Sequence, residues 1–238
     1  MLSSETDVII LCGGRGTRLG SALGALPKPM APVGNRPFLE LLIDRVEARG
    51  FRRFILCVGH GATTIRAHFE RSVGREIVFS EERTPLGTGG ALKLCEGLRR
   101  SRTSLVMNGD SLCDFDPAPL LDFHTRVEAL ATLATVATKS RADGDFVELD
   151  ARGAVTRFSE HAPLTGSGAL NAGIYALGSA FWSEIPSDRS CSLEKETFPA
   201  LVGRGLFAWP TTAALHDIGT AERLEAFRRS QLGFKSSA

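Results

Sequence analysis

Residues Val8 to Gly20 read "VIILCGGRGTRLG". Four apolar, β-favouring residues, ending at Leu11, run into a loop that carries Gly13, Gly14 and Gly16 with Thr17 and two arginines, Arg15 and Arg18. Glycine lacks the Cβ that would block close approach, so such a loop lets backbone reach a ligand. Its amides, with the two guanidinium groups, offer a concave positive surface suited to phosphate. Two familiar phosphate loops do not fit. A P-loop requires a Gly-Lys-Ser/Thr ending, and the chain has no Gly-Lys pair. A dinucleotide-binding loop needs a third glycine where this chain has Leu19, and an acid after the second strand, where it has Gly59-His60.

With 238 residues, 43% of them hydrophobic, the chain is long enough for one large core. A net charge of +1 gives no field that would gather nucleic acid. The five cysteines are scattered without Cys-x-x-Cys spacing, which argues against a disulfide framework or a structural zinc. The first apolar run is too short for a signal peptide, and no segment has the length of a membrane span. A cytoplasmic protein that binds neither membrane nor nucleic acid is expected.

The first half alternates strand and helix patterns. "DVIILC", "FILCV", "EIVFS" and "SLVMNGD" read as strands. "PFLELLIDRVEARG" (with Phe38, Leu41, Leu42 and Val46 on one face), "TTIRAHFERSVG" and "GGALKLCEGLRR" read as helices. This order predicts an α/β fold with a three-layer, mostly parallel, Rossmann-like sheet. After residue 128 the pattern changes: "ALATLATVAT", a hairpin across "FVELDARGAVTRFSE", "NAGIYAL" and "GLFAWP" read as strands. "SLEKETFPALVGRG" and "TAERLEAFRRSQL" read as helices. One domain over 1–238 is expected, with residues 129–238 extending the sheet of residues 1–128 and carrying a substrate lid.

Open α/β sheets bind ligands beyond the carboxyl ends of their strands, and the informative residues collect there. Asp110 in "MNGDS", with Asn108 and Gly109, closes a strand, and Asp217 in "LHDIGT" stands before the last helix. Each fits a turn or helix-end acid. As a pair beside a phosphate loop they suit Mg²⁺, which takes one or two carboxylates plus phosphate oxygens. Lys28 lies between two prolines that fix its direction, as a cation meeting an anion requires, or it is a surface lysine. "PLGTGG", containing Pro85, Gly87 and Thr88, offers backbone and a hydroxyl to a flat base, or simply caps a helix. Glu82 just upstream pairs with guanine N–H groups or is an exposed acid. Gly144, Glu160, His161, Asn171 and Gly173 fall where a polyol would be read, and Glu194-Lys195 reads as a helix-start charge pattern.

Together, "GGRGTRL", "PKPMAPV", "PLGTGGAL", "NGD", "GALNAGIY" and "HDIGT" resemble the sugar-1-phosphate nucleotidyltransferases, in family order along nearly the whole chain. "PKPMAPVGNRPFLE" and "SLEKETFPAL" are most similar to the D-glycero-α-D-manno-heptose-1-phosphate guanylyltransferases, with mannose-1-phosphate guanylyltransferases close behind. The resemblance implies the nucleotide-diphospho-sugar transferase type of fold, with 1–128 as a nucleotide-binding half and 129–238 as a sugar-binding half with a small sugar-binding lid, without the C-terminal β-helix domain of longer members. It implies transfer of a guanylyl group from GTP to a sugar 1-phosphate, supplying capsule or lipopolysaccharide synthesis. By the same resemblance Arg18 meets the triphosphate and the leaving pyrophosphate, Lys28 the reacting phosphates, and Asp110 and Asp217 hold Mg²⁺. The loop at Pro85–Thr88 holds the base, with Glu82 for guanine, while Gly144, Glu160 and Asn171 hold the sugar. Fold analogy suggests a homodimer. A non-catalytic sensing subunit is the alternative from another class, although such a subunit has no use for the two metal acids.

One position departs from the family pattern. Relatives carry a lysine after the glutamate of the F-x-E block, and this chain has His161 in "FSEHA". A neutral imidazole contributes less to a phosphate dianion than an ammonium does, unless Arg157 or Lys195 takes over. The KM for sugar phosphate is therefore expected to rise above roughly pH 7, where an ordinary histidine is neutral. A KM that stays flat from mildly acid to alkaline pH contradicts this.

Overall fold

A computed structural model of the chain describes residues 3–14, 19, 23–24, 26–70, 72–137, 144–160 and 168–233. Its strands are β1 (Asp7–Leu11), β2 (Pro32–Val33), β3 (Arg36–Pro37), β4 (Arg53–Val58), β5 (Glu76–Glu81), β6 (Ser104–Asn108) and β7 (Ser111–Cys113), then β8 (Ala131–Ala137), β9 (Phe146–Leu149), β10 (Val155–Ser159), β11 (Ala169–Leu177), β12 (Leu206–Thr211) and β13 (Leu215–Asp217). The helices are α1 (Phe38–Glu47), α2 (Ala62–Phe69), α3 (Gly87–Cys95), α4 (Ala118–Arg126), the short α5 (Phe198–Leu201) and α6 (Ala221–Gly233).

Nine strands form one sheet in the order β10-β9-β11-β6-β1-β4-β5, with β8 beside β11 and β12 beside β8. The block β6-β1-β4-β5 is wholly parallel. Seven strands share one direction, and only β10 and β11 oppose it. Both halves of the chain thus build a single sheet, and the fold is the mostly parallel α/β type that the strand-helix alternation predicts.

Alternation along the buried strands divides the core into two layers. Val8 and Ile10 of β1 join Phe54 and Leu56 of β4 on one face, against Leu39 and Leu42 of α1 and Phe227 of α6. Ile9 and Ile55 point the other way, toward Leu92 of α3, Trp182 and Phe198. The buried side of α1 is wider than its periodicity suggests, since Leu39 and Ile43 are also fully covered and Leu41 only partly.

Several elements differ from the sequence expectation. "SLEKETFPALVGRG" does not form one helix. Glu196 N and Thr197 N both reach Ser192 O, at 3.1 and 3.2 Å, and a wide turn over Leu193–Thr197 precedes the four-residue α5. Val202 leaves helical geometry at ψ 125° and Gly203 follows at φ +74°, so the helix ends after one turn. The hairpin β2–β3, the helix α4 and the β7–β13 ladder carry no strong local pattern. Among the described residues, no helix is long and apolar enough to cross a membrane.

An ion pair closes the amino ends of the central strands. Asp7 and Arg53 stand in register, with Arg53 Nη1 2.5 Å from Asp7 Oδ1, while Arg100 N and Ser101 N donate to Oδ2 at 2.6 and 2.7 Å. Burial raises the Asp7 pKa, but the two backbone donors and the Arg53 guanidinium outweigh it and leave the carboxyl below its ordinary value.

On the other half, His124 of α4 is buried with Nδ1 3.0 Å from Thr132 Oγ1, and burial pushes its pKa down to about 4. The unfolded chain binds this proton near pH 6.5, so the folded state is stabilised by a neutral His124 above that pH and loses the advantage on acidification. Unfolding free energy is expected to fall by ~3 kcal/mol between neutral pH and pH 4 from this group. Urea unfolding across that range checks it: His124→Gln should flatten the slope, and an unchanged slope contradicts the assignment.

Candidate functional site

The chain leaves β1 for β4 and β5 on one side, then crosses to β6 on the other. The loops after β1 and β6 therefore diverge, which opens a crevice at the carboxyl end of the sheet. A cavity of about 650 Å³ fills it, walled by Gly13, Gly14, Glu82, Pro85, Gly87 and Thr88. A second cavity of about 160 Å³ adjoins it, lined by Gly144, Asp145, Asn171, Gly173, Asp217 and Arg223. The two share Lys28, Asn108, Asp110 and Gly219.

This shared wall carries a cation and an anion in contact. Lys28 opens a 3₁₀ turn after Pro27, and its Nζ lies 2.5 Å from Asp110 Oδ2. Asp110 follows β6, and Gly109 N holds the turn to Leu11 O of β1 at 2.9 Å. The antiparallel β7–β13 ladder sets Asp217 opposite Ser111, and Ile218 N donates to Asp110 O at 3.0 Å. Backbone pairing thus brings together two acids that lie far apart in the chain. Asp217 Oδ1 accepts from Gly219 N at 2.9 Å and from Arg223 Nη1 at 3.2 Å. Among the described residues no group of three or more His, Cys, Asp or Glu could hold a metal. Two carboxylates fit a hard cation such as Mg²⁺, which keeps phosphate oxygens and waters as its other ligands. They do not fit a structural zinc.

At the far end of the larger cavity, Glu82 Oε2 accepts from Leu86 N at 3.0 Å. Its other oxygen lies so near Gly13 and Gly59 that a Cβ on either would come within 2.9 or 2.7 Å of it. Thr88 lines the cavity, but its hydroxyl is engaged: it accepts from Leu193 N at 2.8 Å and donates to Glu194 Oε2 at 2.7 Å. Gly89 N and Gly90 N both donate to Cys191 O, and Cys191 N donates to Leu86 O. The base-loop motif is therefore clasped to residues 191–194 of the second half. Burial, above all, pushes the Glu194 carboxyl up, while Thr88 and Ser192 act against it. Glu194 is thus more than a helix-start charge, a role that its exposed-looking "SLEKE" setting does not signal.

In the smaller cavity, Gly173 has φ +71°, and a Cβ there would sit 2.7 Å from Asn108 Nδ2. Asn108 can approach β11 only because that side chain is missing. Asn171 donates to Tyr175 Oη at 3.1 Å and accepts from Gly173 N at 3.0 Å. Asn108 Oδ1 is buried without a hydrogen-bond partner among the described residues.

Most predicted residues meet at these cavities. Leu11, Gly13, Gly14, Glu82, Pro85, Gly87 and Thr88 line the larger, Gly144, Asn171, Gly173 and Asp217 the smaller, and Lys28, Asn108 and Asp110 both. Gly109 packs beneath the site and lines neither. Glu160, at the end of β10, lies 3.6 Å from Lys195 Nζ and also lines neither. Gly16, Thr17, Arg18 and His161 lie outside the described residues. Asp145, Arg223 and Arg83 line the cavities without having been singled out; only Arg223, six residues after Asp217 at the start of α6, had a local cue. Cys12 is no nucleophile: burial, and then the Asp110 carboxylate, push its thiol far up.

The nucleotidyl transferase family model matches residues 7–231. The mannose-1-phosphate guanylyltransferase of Mycobacterium tuberculosis is 34% identical over 93% of this chain and 63% of its own. The D-glycero-alpha-D-manno-heptose 1-phosphate guanylyltransferase of Campylobacter jejuni is 34% identical over 79% of this chain and 83% of its own. Against the mannose relatives the chain spans about three fifths of their length, 60 to 63%. Among solved structures, HddC of Yersinia pseudotuberculosis superposes with a TM-score of 0.82 at 28% identity, over 95% of this chain and 99% of HddC. HddC has also been solved complexed with GMP-PN.

The clasp makes a prediction of its own. Thr88→Val leaves Leu193 N–H and the buried Glu194 carboxylate each short of a partner, which is expected to cost about 2 kcal/mol of stability. A denaturation midpoint equal to that of the unaltered protein contradicts a structural role for the hydroxyl.

Proposed function

The chain belongs to the nucleotidyl transferase family, and on that premise we propose that it transfers a guanylyl group from GTP to a sugar 1-phosphate. The single observation behind this reading is the pair of cavities that meet at Lys28, Asn108, Asp110 and Gly219. The larger has room for a nucleoside triphosphate, and we assign the smaller, which opens onto it, to the sugar. A phosphate oxygen of the sugar attacks the α-phosphorus of GTP, the bond from that phosphorus to the bridging oxygen breaks, and pyrophosphate leaves. No protein base is needed, because the attacking phosphate is already ionised.

Negative charge crowds the reacting phosphorus, so positioning and charge neutralisation supply most of the catalysis. Lys28 meets phosphate oxygens at the shared wall, and Arg18 is assigned the triphosphate and the leaving pyrophosphate. Asp110 and Asp217 would hold Mg²⁺, which would supply further charge neutralisation there. The loop at Pro85–Thr88 and Glu82 bounds the base, while Gly144, Asn171 and Gly173 bound the sugar. Glu160 joins them only if its pair with Lys195 opens.

For the sugar we favour D-glycero-α-D-manno-heptose 1-phosphate, on the likeness of "PKPMAPVGNRPFLE" and "SLEKETFPAL" to that group and on the Campylobacter relative. Mannose 1-phosphate is the second reading, favoured by the Mycobacterium relative at the same 34% identity. A GDP-heptose made in the cytoplasm would feed capsule or lipopolysaccharide synthesis.

Pyrophosphate release with Mg²⁺, each nucleoside triphosphate and a panel of sugar 1-phosphates tests the proposal. GTP with a manno-configured sugar is expected to be best; silence with every pair would favour a sensing subunit. Asp110→Asn is expected to lower kcat/KM by about 100-fold or more, ~3 kcal/mol of transition-state stabilisation. Near-normal turnover in that variant would refute the metal assignment.

A further inference from the structure

The geometry of the two cavities orients a nucleotide in the larger one. Its reacting phosphorus must face the smaller cavity, so its phosphates lie along the shared wall at Lys28 and Asp110 and its base falls at the Glu82–Ala91 end. There the side chains with hydrogen-bonding capacity are Glu82, Arg83, Thr84 and Thr88, and of these only Arg83 offers a pair of charged donors. The Thr88 hydroxyl is occupied by Leu193 and Glu194. Glu82 can only accept, and one of its oxygens already serves Leu86 N.

Arg83 stands next in the chain. It is exposed, it lines the cavity, and among the described residues it makes no hydrogen bond or ion pair. Many of this protein's arginines are committed: Arg36, Arg45, Arg53, Arg66 and Arg75 each meet a carboxylate. Arg83 is therefore a fork of donors at the base end that none of the described residues satisfies.

Guanine carries two acceptors, O6 and N7, on one edge, spaced for both arms of a guanidinium; adenine replaces O6 with an amino donor that would face the fork N–H to N–H. We infer that Arg83 is a specificity-determining residue that donates to O6 and N7 of guanine and so selects GTP over ATP. This rests on the guanylyltransferase reading above. Glu82, one residue earlier, complements it by offering an acceptor to the N–H groups of the same base. The neighbouring acid and guanidinium match a base that bears both donors and acceptors.

The experiment compares kcat/KM for GTP, 7-deaza-GTP (which lacks the N7 acceptor) and ATP in the unaltered protein, Arg83→Ala and Arg83→Lys. In the unaltered protein 7-deaza-GTP should fall about tenfold or more below GTP. Arg83→Ala should lower kcat/KM for GTP by about 10- to 100-fold, chiefly through KM, leave ATP unchanged, and treat GTP and 7-deaza-GTP alike. Arg83→Lys should recover only part of the loss, because a point charge cannot bridge two acceptors. Equal losses for GTP and ATP would mean a phosphate contact and overturn the inference, as would a 7-deaza penalty that persists in Arg83→Ala. If the unaltered protein releases no pyrophosphate from GTP, the guanylyl reading falls and this inference with it. If GTP turnover is intact and the variants do not discriminate, this inference alone fails.

Discussion

Where Lys28 meets Asp110 at 2.5 Å, the two cavities join. A cation and an anion held this close balance each other while the site is free of substrate. On the proposed function Lys28 is the group that would engage incoming phosphates and Asp110 the one that would hold their cation, and each is directed by structure outside the pocket. Lys28 is aimed by the 3₁₀ turn after Pro27, and Asp110 by the end of β6. Asp217 is brought alongside by a three-residue ladder that itself binds to the Asp110 carbonyl through Ile218 N. Much of the fold can be understood as the means of holding these charges at one edge of a sheet.

The two ends of the parallel block differ in kind. At the amino ends, Asp7 and Arg53 are buried and their hydrogen bonds are made within the protein, including those from Arg100 and Ser101. At the carboxyl ends, polar groups remain available to a ligand: Asn108 Oδ1 has no partner among the described residues, and Arg83 has none either. A buried polar atom without a partner is costly unless something else satisfies it. The clasp from Leu86–Gly90 to Cys191–Glu194 then ties a wall of the larger cavity to the second half of the chain.

Local pattern carried a good deal of this. Continuous apolar runs such as Val8–Leu11 identify strands buried on both faces, and their alternation with helices leaves a parallel sheet as the economical solution. Glycine-rich segments at strand ends mark the ligand edge because backbone approach needs the absence of Cβ. The same reasoning is silent wherever a role depends on a distant partner. Nothing near Glu194 indicates that Thr88, 106 residues earlier, will claim its oxygen. Nothing in "LHD" indicates a strand that pairs with the "SLC" of β7, far back in the chain. The wide turn at Leu193–Thr197 likewise follows from docking against Thr88 more than from propensity.

By itself, then, the amino-acid sequence determined the α/β class, the strand ends at which the glycine-rich segments collect, and the residue types gathered there. Periodicity and glycine placement are properties of neighbouring residues, so they can be read without knowing the fold. The tertiary structure alone decided which of those residues meet. It holds Asp110 and Asp217 together by a backbone ladder, spends the Thr88 hydroxyl on the protein, and leaves Arg83 on the wall of the larger cavity without a partner among the described residues. These are outcomes of long-range pairing, where one shared hydrogen bond assigns a side chain either to the scaffold or to the substrate.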